Sequence, residues 1–165
     1  MNTRTLSETV KDLNIIFKRV FSMKLCKLNE LVRLNYIELY PGRLKNGYLN
    51  EESIYITDNS FSLIVPAIKK GFEQYEPFNS FEIGKRQWEL ILREVKYLTE
   101  ILYQSPASKQ LDNYISIFYR DPNLRKSKVK ETIENREDLV LFTEDLIEWI
   151  NAQLETNECI TLIGI

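Results

Sequence analysis

Acidic residues offer the clearest candidate chemistry in this sequence, and they concentrate towards its C-terminal end. Residues 131–158 contain nine Asp and Glu residues but only one basic residue, Arg136. Apolar residues recur there at three- and four-residue steps, which predicts a helix from about Arg136 to Leu154. With about 100° of rotation per residue, four carboxylates fall within about 20° of one line on this helix and a fifth lies beside it. These candidate partner-binding residues are Glu137, Glu144, Asp145, Glu148 and Glu155.

Two interpretations of this acidic row stay open at the level of sequence. The opposite side of the helix carries apolar residues that must face the core, namely Leu139, Phe142, Leu146, Trp149 and Ile150. The acids are therefore either the solvated side of an amphipathic helix or a face that attracts a cationic partner. Like charges four residues apart, such as Glu144 and Glu148, cost roughly a few tenths of a kcal/mol each, and ordinary surfaces mix both signs.

A basic segment, residues 120–130, comes shortly before the acidic helix and has two interpretations of its own. Its cations are Arg120, Arg125, Lys126, Lys128 and Lys130. Such a group could hold phosphates without regard to sequence, or it could neutralise the acidic residues that follow. Tyr119 is the one aromatic neighbour, so the interleaved stacking pattern of a single-strand binder is missing from this stretch of sequence.

Several classes of enzyme are excluded or disfavoured by residue types alone. The sequence contains no histidine, which excludes Ser–His, Cys–His and His-ligated metal chemistry. Its five glycines are scattered, so neither a dinucleotide-binding fingerprint nor a phosphate-binding loop is present. No calcium-binding loop spacing occurs among the acids. The sequence therefore predicts a protein that is not an enzyme and that needs no cofactor or metal.

The elements that must position these residues are predicted to be mostly helical. The 165 residues carry a net charge of −2 and are expected to form one helical domain over 1–165, with about five to six helices. Minor β structure is predicted at residues 53–57 and in the apolar tail 159–165, which is expected to dock beside 53–57. The expected helices cover approximately residues 7–21, 25–39, 60–72, 85–103, 111–118 and 136–154.

Three smaller features complete the expectations from sequence. Pro66 is expected in the first turn of its helix, where its missing N–H costs nothing. Cys26 and Cys159 stand far apart and are expected to be buried free thiols in a reducing compartment. The first residues have no apolar signal region, and no stretch is long enough to span a membrane, so a cytoplasmic location is expected.

The segment Tyr75–Ile83 running into the Trp88 helix, the acidic helix and the tail Cys159–Ile165 together resemble a family. They are similar to bacterial immunity proteins, the cytoplasmic antitoxins encoded beside contact-dependent growth inhibition toxins. The resemblance covers about the last 90 residues and rests on no diagnostic motif. It implies a protein that binds the toxic C-terminal domain of a cognate toxin and occludes its active site.

The resemblance also implies what kind of partner the acidic row would meet. Many such toxins are nucleases, often acting on tRNA, and their clefts are basic because the substrate is polyanionic. The implied partner is thus a protein, with no membrane, no direct nucleic acid and no small-molecule substrate. The alternative is a non-enzymatic nucleic-acid-associated or regulatory domain that uses residues 120–130.

Overall fold

A four-stranded antiparallel sheet organises the protein, in the strand order β2-β1-β4-β3. The computed structural model describes residues 23–32, 35–104 and 108–164. The strands are β1 (Tyr36–Pro41), β2 (Ile54–Thr57), β3 (Ser80–Gly84) and β4 (Cys159–Gly164). Within the described ranges the helices are α1 (Asp58–Gly71), α2 (Lys85–Tyr103), α3 (Ser108–Ile115), α4 (Pro122–Glu134) and α5 (Arg136–Thr156).

The fold is mixed α/β, so the expectation of a mainly α protein with a minor β element is only partly right. The predicted strand at 53–57 is confirmed as β2, and the tail is confirmed as a strand, β4. The tail does not lie beside β2, because β1 lies between them and pairs with both. β3 was not predicted; it pairs with β4 at the other edge of the sheet.

The predicted helix over residues 25–39 is wrong. A single 3-10 turn at Leu28–Glu30 is followed by β1, and Val32 is exposed. The apolar residues of β1 alternate along the strand, so Ile37 and Leu39 face the main core while Glu38 faces away from it. An alternating strand and a helical repeat share many positions over a few residues, and pairing with two neighbouring strands decides the outcome here.

The helices pack on one face of the sheet and enclose the main core. The buried strand residues on that face are Ile37, Leu39, Ile54, Ile56, Ile83, Ile160 and Leu162. α1 and α2 approach so closely that a Cβ at Gly71 would lie 2.4 Å from the Cα of Ile91. Only glycine fits at this crossing. The predicted helix 85–103 is confirmed as α2 with the same bounds.

Pro66 lies in the middle of α1, so the expectation that it occupies the first turn is wrong. A proline there removes the N–H that would donate to the carbonyl of Ser62. The hydroxyl of Tyr119 donates to that carbonyl oxygen instead, at 3.1 Å. Thr57 caps the start of α1 by accepting a hydrogen bond from Ser60 N.

The basic segment is largely helical, because most of it forms the first part of α4. Asp121 caps this helix by accepting a hydrogen bond from Leu124 N at 2.8 Å, and Pro122 follows at the first helical position. Asp before Pro is a strong start signal for a helix, and α4 was not among the helices expected from the sequence. The predicted helix over residues 7–21 lies outside the described residues.

Both cysteines are buried and free, as predicted. Burial raises the pKa of each thiol. Cys26 lies against Tyr55, with which it forms an isolated antiparallel bridge beside β2. Cys26 and Cys159 thus behave as small apolar side chains.

Candidate protein-binding site

Helix α5 presents one side to the core and the other to solvent, as its sequence predicts. Leu139, Phe142, Leu146 and Ile150 are buried, and Trp149 is partly buried. Thr143 is also buried and shares a hydrogen bond with Thr99 of α2, with the two hydroxyl oxygens 2.9 Å apart. Because both the apolar contacts and this hydroxyl pair fix the rotation of α5, the acidic side is held facing outward.

All five predicted partner-binding residues are exposed on that outward side. We call them the acidic face: Glu137, Glu144, Asp145, Glu148 and Glu155. Among the residues that the structure describes, no Lys or Arg nitrogen lies within 4.0 Å of any of these carboxylates. The acidic face therefore brings together like charges, and no cation of the described residues pairs with them.

An apolar groove opens beside the acidic face where the end of α2 meets the start of α5. This groove, which we call the Tyr103 groove, has a volume of about 350 Å³. Its lining comprises Leu102, Tyr103, Arg136, Glu137, Val140 and Leu141. Two large side chains in it are unusually accessible, since Tyr103 is 65% exposed and Leu141 is 61% exposed.

The Tyr103 groove and the acidic face are physically joined. The hydroxyl of Tyr103 donates a hydrogen bond of 2.6 Å to Glu144 Oε1. This bond raises the pKa of Tyr103, because the carboxylate disfavours a phenolate. Leu141 lies at about 40° on the helical projection that places Glu137 at zero. An aromatic and an aliphatic side chain therefore stand within the row of acids.

Sequence reasoning missed both apolar members of this site. Leu141 could have been found, since it falls on the acidic side of the same helical projection. Tyr103 could not, because its place beside Glu144 depends on how α2 packs against α5.

The cations of the basic segment are mostly paired within the protein. Arg125 forms an ion pair with Asp112 at 3.1 Å, Lys128 with Glu131 at 2.9 Å and Lys130 with Glu134 at 3.7 Å. Arg120 and Lys126 are exposed, and no carboxylate oxygen in the described part of the chain lies within 4.0 Å of them. The pairing favours a role in neutralising nearby acids over a phosphate-binding surface.

Glu38 is a carboxylate of a different kind, fully buried in β1. Its Oε1 accepts hydrogen bonds from Ser53 Oγ at 2.6 Å and from the side-chain amide of Asn50 at 2.9 Å, and its Oε2 accepts one from Leu49 N at 2.9 Å. Burial alone would raise the pKa of Glu38, but these hydrogen bonds outweigh burial and lower it below its ordinary value. Glu38 thus stays ionised and holds the loop between β1 and β2, whereas a general acid needs a raised pKa.

Comparisons with protein families, with curated proteins and with solved structures found no match to this chain. Among the described residues, no helix is both long and apolar enough to span a membrane. The same residues contain no group of three Cys, Asp or Glu side chains arranged to hold a metal ion.

Proposed function

We propose that this protein is an immunity protein that binds the toxic domain of a cognate bacterial toxin and occludes its active site. The observation that carries the proposal is the acidic face, whose five carboxylates are exposed together with no cation of the described residues within 4.0 Å. In this proposal the protein acts in the cytoplasm by binding alone, without catalysis or a cofactor.

Charge explains why a nuclease domain is the proposed target. A cleft that holds tRNA or another nucleic acid must be lined with Lys and Arg, because its substrate is a polyanion. A rigid row of carboxylates is attracted to such a cleft and raises the rate of encounter. Once docked, the row lies where the phosphates of the substrate would lie and blocks their path.

The Tyr103 groove supplies the apolar contact that a charged surface alone lacks. Interfaces owe most of their affinity to a few aromatic or aliphatic side chains surrounded by polar residues. Tyr103 and Leu141 have this setting, since both are largely exposed and adjoin carboxylates of the acidic face. We therefore propose that steering comes from the acids and that much of the lasting affinity comes from these two side chains.

A capture experiment with matched charge-reversal variants tests the proposal. The tagged chain, its Glu144→Lys/Glu148→Lys variant and a Glu51→Lys/Glu52→Lys control are used as bait in low-salt lysate of the native host. The control makes the same change in net charge on two exposed acids of the loop between β1 and β2. We expect the wild type and the control to retain one protein with a basic domain, and the acidic-face variant to lose it.

Identity and neutralisation are then tested with the captured protein itself. Its basic domain should arrest growth when expressed alone, and co-expression of the wild-type chain should restore growth. A captured protein whose toxicity is unaffected would contradict the proposal. Recovery of RNA or DNA instead, lost in a Lys126→Ala/Lys128→Ala variant, would favour the nucleic-acid-associated alternative.

A further inference from the structure

A second cavity lies away from the acidic face, beside the start of α1. It has a volume of about 280 Å³ and is lined by aromatic side chains from separate parts of the chain, together with Asp58. We call it the aromatic pocket and define it by Asp58, Phe61, Tyr75, Phe78, Phe118 and Tyr119. Its size suits a single small ligand or one long side chain.

Phe78 forms an exposed wall of the aromatic pocket on a strained piece of backbone. Its φ is +66°, a left-handed conformation that non-glycine residues rarely adopt, and its side chain is 82% exposed. Gly164 of β4 packs against this turn, since a Cβ there would lie 2.9 Å from the Cα of Phe78, and Gly164 N donates to Asn79 O at 3.1 Å. The end of the sheet thus holds an apolar ring in water at the edge of a cavity.

Tyr75 contributes a hydroxyl that is not hydrogen-bonded within the described part of the chain. The residue is only 4% exposed, yet its hydroxyl makes no hydrogen bond with any residue that the structure describes. By contrast, the hydroxyl of Tyr119 in the same pocket donates to Ser62 O at 3.1 Å. The Tyr75 hydroxyl can therefore hydrogen-bond with a molecule that enters the cavity.

Carboxylate charges act on both tyrosines of the aromatic pocket. Burial raises the pKa of Tyr75 to about 12, and the charge of Asp58 is the next contribution. The pKa of Tyr119 is also raised to about 12, by burial, then Glu131, then Asp58. Burial disfavours a charge of either sign there, whereas the charge of Asp58 favours a positive one.

Two lysines near the aromatic pocket are paired with acids other than Asp58. Lys128 lies 2.9 Å from Glu131 Oε2, and Lys69 lies 3.2 Å from Glu76 Oε1. No Lys or Arg nitrogen of the described residues lies within 4.0 Å of the Asp58 carboxylate. Asp58 is thus free to pair with a charge that enters from solvent.

We propose that the aromatic pocket binds a small organic cation that carries N–H donors, such as a primary alkylammonium. Asp58 would pair with the charge, the Tyr75 hydroxyl oxygen would accept a hydrogen bond, and the rings would pack on the alkyl chain and attract the cation. The inference stands independently of the proposed function, because it uses neither the acidic face nor the Tyr103 groove.

Backbone amide NMR of the full chain during titration with three probes tests this inference. Butylammonium chloride is the positive probe, 1-butanol is its neutral counterpart, and tetramethylammonium chloride is a cation without N–H groups. We expect saturable shifts at Asp58, Tyr75 and Phe78 with butylammonium and none with 1-butanol at the same concentrations. Equal binding of 1-butanol, or no saturable shift with butylammonium, would overturn the inference.

Variants separate the roles of charge, hydroxyl and ring. Asp58→Asn should weaken butylammonium binding about tenfold, which is the scale of a hydrogen bond to a charged group. Tyr75→Phe keeps the ring. It should weaken the binding of butylammonium about fivefold and leave the binding of tetramethylammonium unchanged. If Asp58→Asn binds as the wild type does, the inference is wrong.

Phe78→Ala provides a variant that is expected to fold normally, because the side chain is almost fully exposed. Phe78→Ala should weaken the binding of both cations. Tyr48→Ala changes an exposed aromatic residue outside the aromatic pocket and should weaken the binding of neither. Equal effects of the two variants would show that the ring of Phe78 is not part of a site.

Discussion

Glu38 and the acidic face use the same carboxylate group in opposite ways. Glu38 is fully buried, and its oxygens accept hydrogen bonds from Leu49 N, Asn50 and Ser53. The acids of α5 are exposed, and the one hydrogen bond to them among the described residues comes from Tyr103. The first carboxylate is saturated by its own protein, while the others are left for solvent or for a partner.

The contrast separates charges that build the fold from charges that remain available. A buried carboxylate must be fully hydrogen-bonded, or it would destabilise the protein. Exposed carboxylates carry no such requirement, but placing several together with one sign lowers stability slightly. Three of the five cations in the basic segment resemble Glu38 in this respect, because they are paired internally.

The largest expected effect concerns Glu38. Glu38→Ala removes the acceptor for several buried or partly buried donors, and we expect the free energy of unfolding to fall by about 3 kcal/mol. Urea unfolding monitored by circular dichroism measures this change. Glu155→Ala on the acidic face is the matched control and should change stability little. Equal losses of unfolding free energy from Glu38→Ala and Glu155→Ala would contradict the distinction between the buried and the exposed carboxylates.

The stability that Glu38 contributes should also depend on pH. Hydrogen bonds hold the pKa of folded Glu38 below its ordinary value of 4.5, despite burial. Its stabilisation is therefore complete above the unfolded pKa and is lost as the pH falls through the folded pKa. The difference in stability between the wild type and Glu38→Gln should be constant near neutral pH and shrink in acid. A stability difference that grows in acid would contradict a lowered pKa for folded Glu38.

Substitutions of two leucines on α5 compare the core side of the helix with its exposed side. Leu139→Ala should lower the free energy of unfolding by about 3 kcal/mol, because it opens a cavity in the main core. Leu141→Ala should lower it by less than about 1 kcal/mol, since that side chain is 61% exposed. Thermal and urea unfolding of both variants give the comparison. A large loss from Leu141→Ala would assign this residue to the core rather than to a binding groove.

The smallest expected effect is a gain. Glu148→Gln removes like-charge repulsion with Glu144 four residues away, and we expect stability to rise by roughly a few tenths of a kcal/mol at low salt. The gain should disappear at high salt because exposed charges are screened. Differential scanning calorimetry at two salt concentrations measures it. A clear loss of stability would mean that Glu148 already has a favourable partner.

The sequence was informative where one helix face dominates the pattern. α2 and α5 were predicted with nearly their true bounds, because apolar residues repeat over more than four turns in each. α4 was missed because Thr132 is its one buried residue. β1 and β3 were missed because five or six residues fit more than one period, and pairing with the neighbouring strands determines their conformation.

The candidate sites also differ in how far the sequence alone could predict them. The acidic face could be predicted from one helix and its repeat. The Tyr103 groove depends on how α2 lies against α5, and the aromatic pocket gathers residues from 58 to 119, so neither could be read from local sequence. Glu38 gave no sequence signal, because its donors come from a loop whose path is set only in the folded protein.

The association rate with the captured partner tests the central claim most directly. Stopped-flow binding would compare the wild type, Glu144→Lys/Glu148→Lys and the Glu51→Lys/Glu52→Lys control at low and high salt. We expect the acidic-face variant to associate about tenfold more slowly than the other two at low salt, with the three rates converging at high salt. Equal rates for the wild type and the acidic-face variant at low salt would contradict the claim that this face binds a cationic partner.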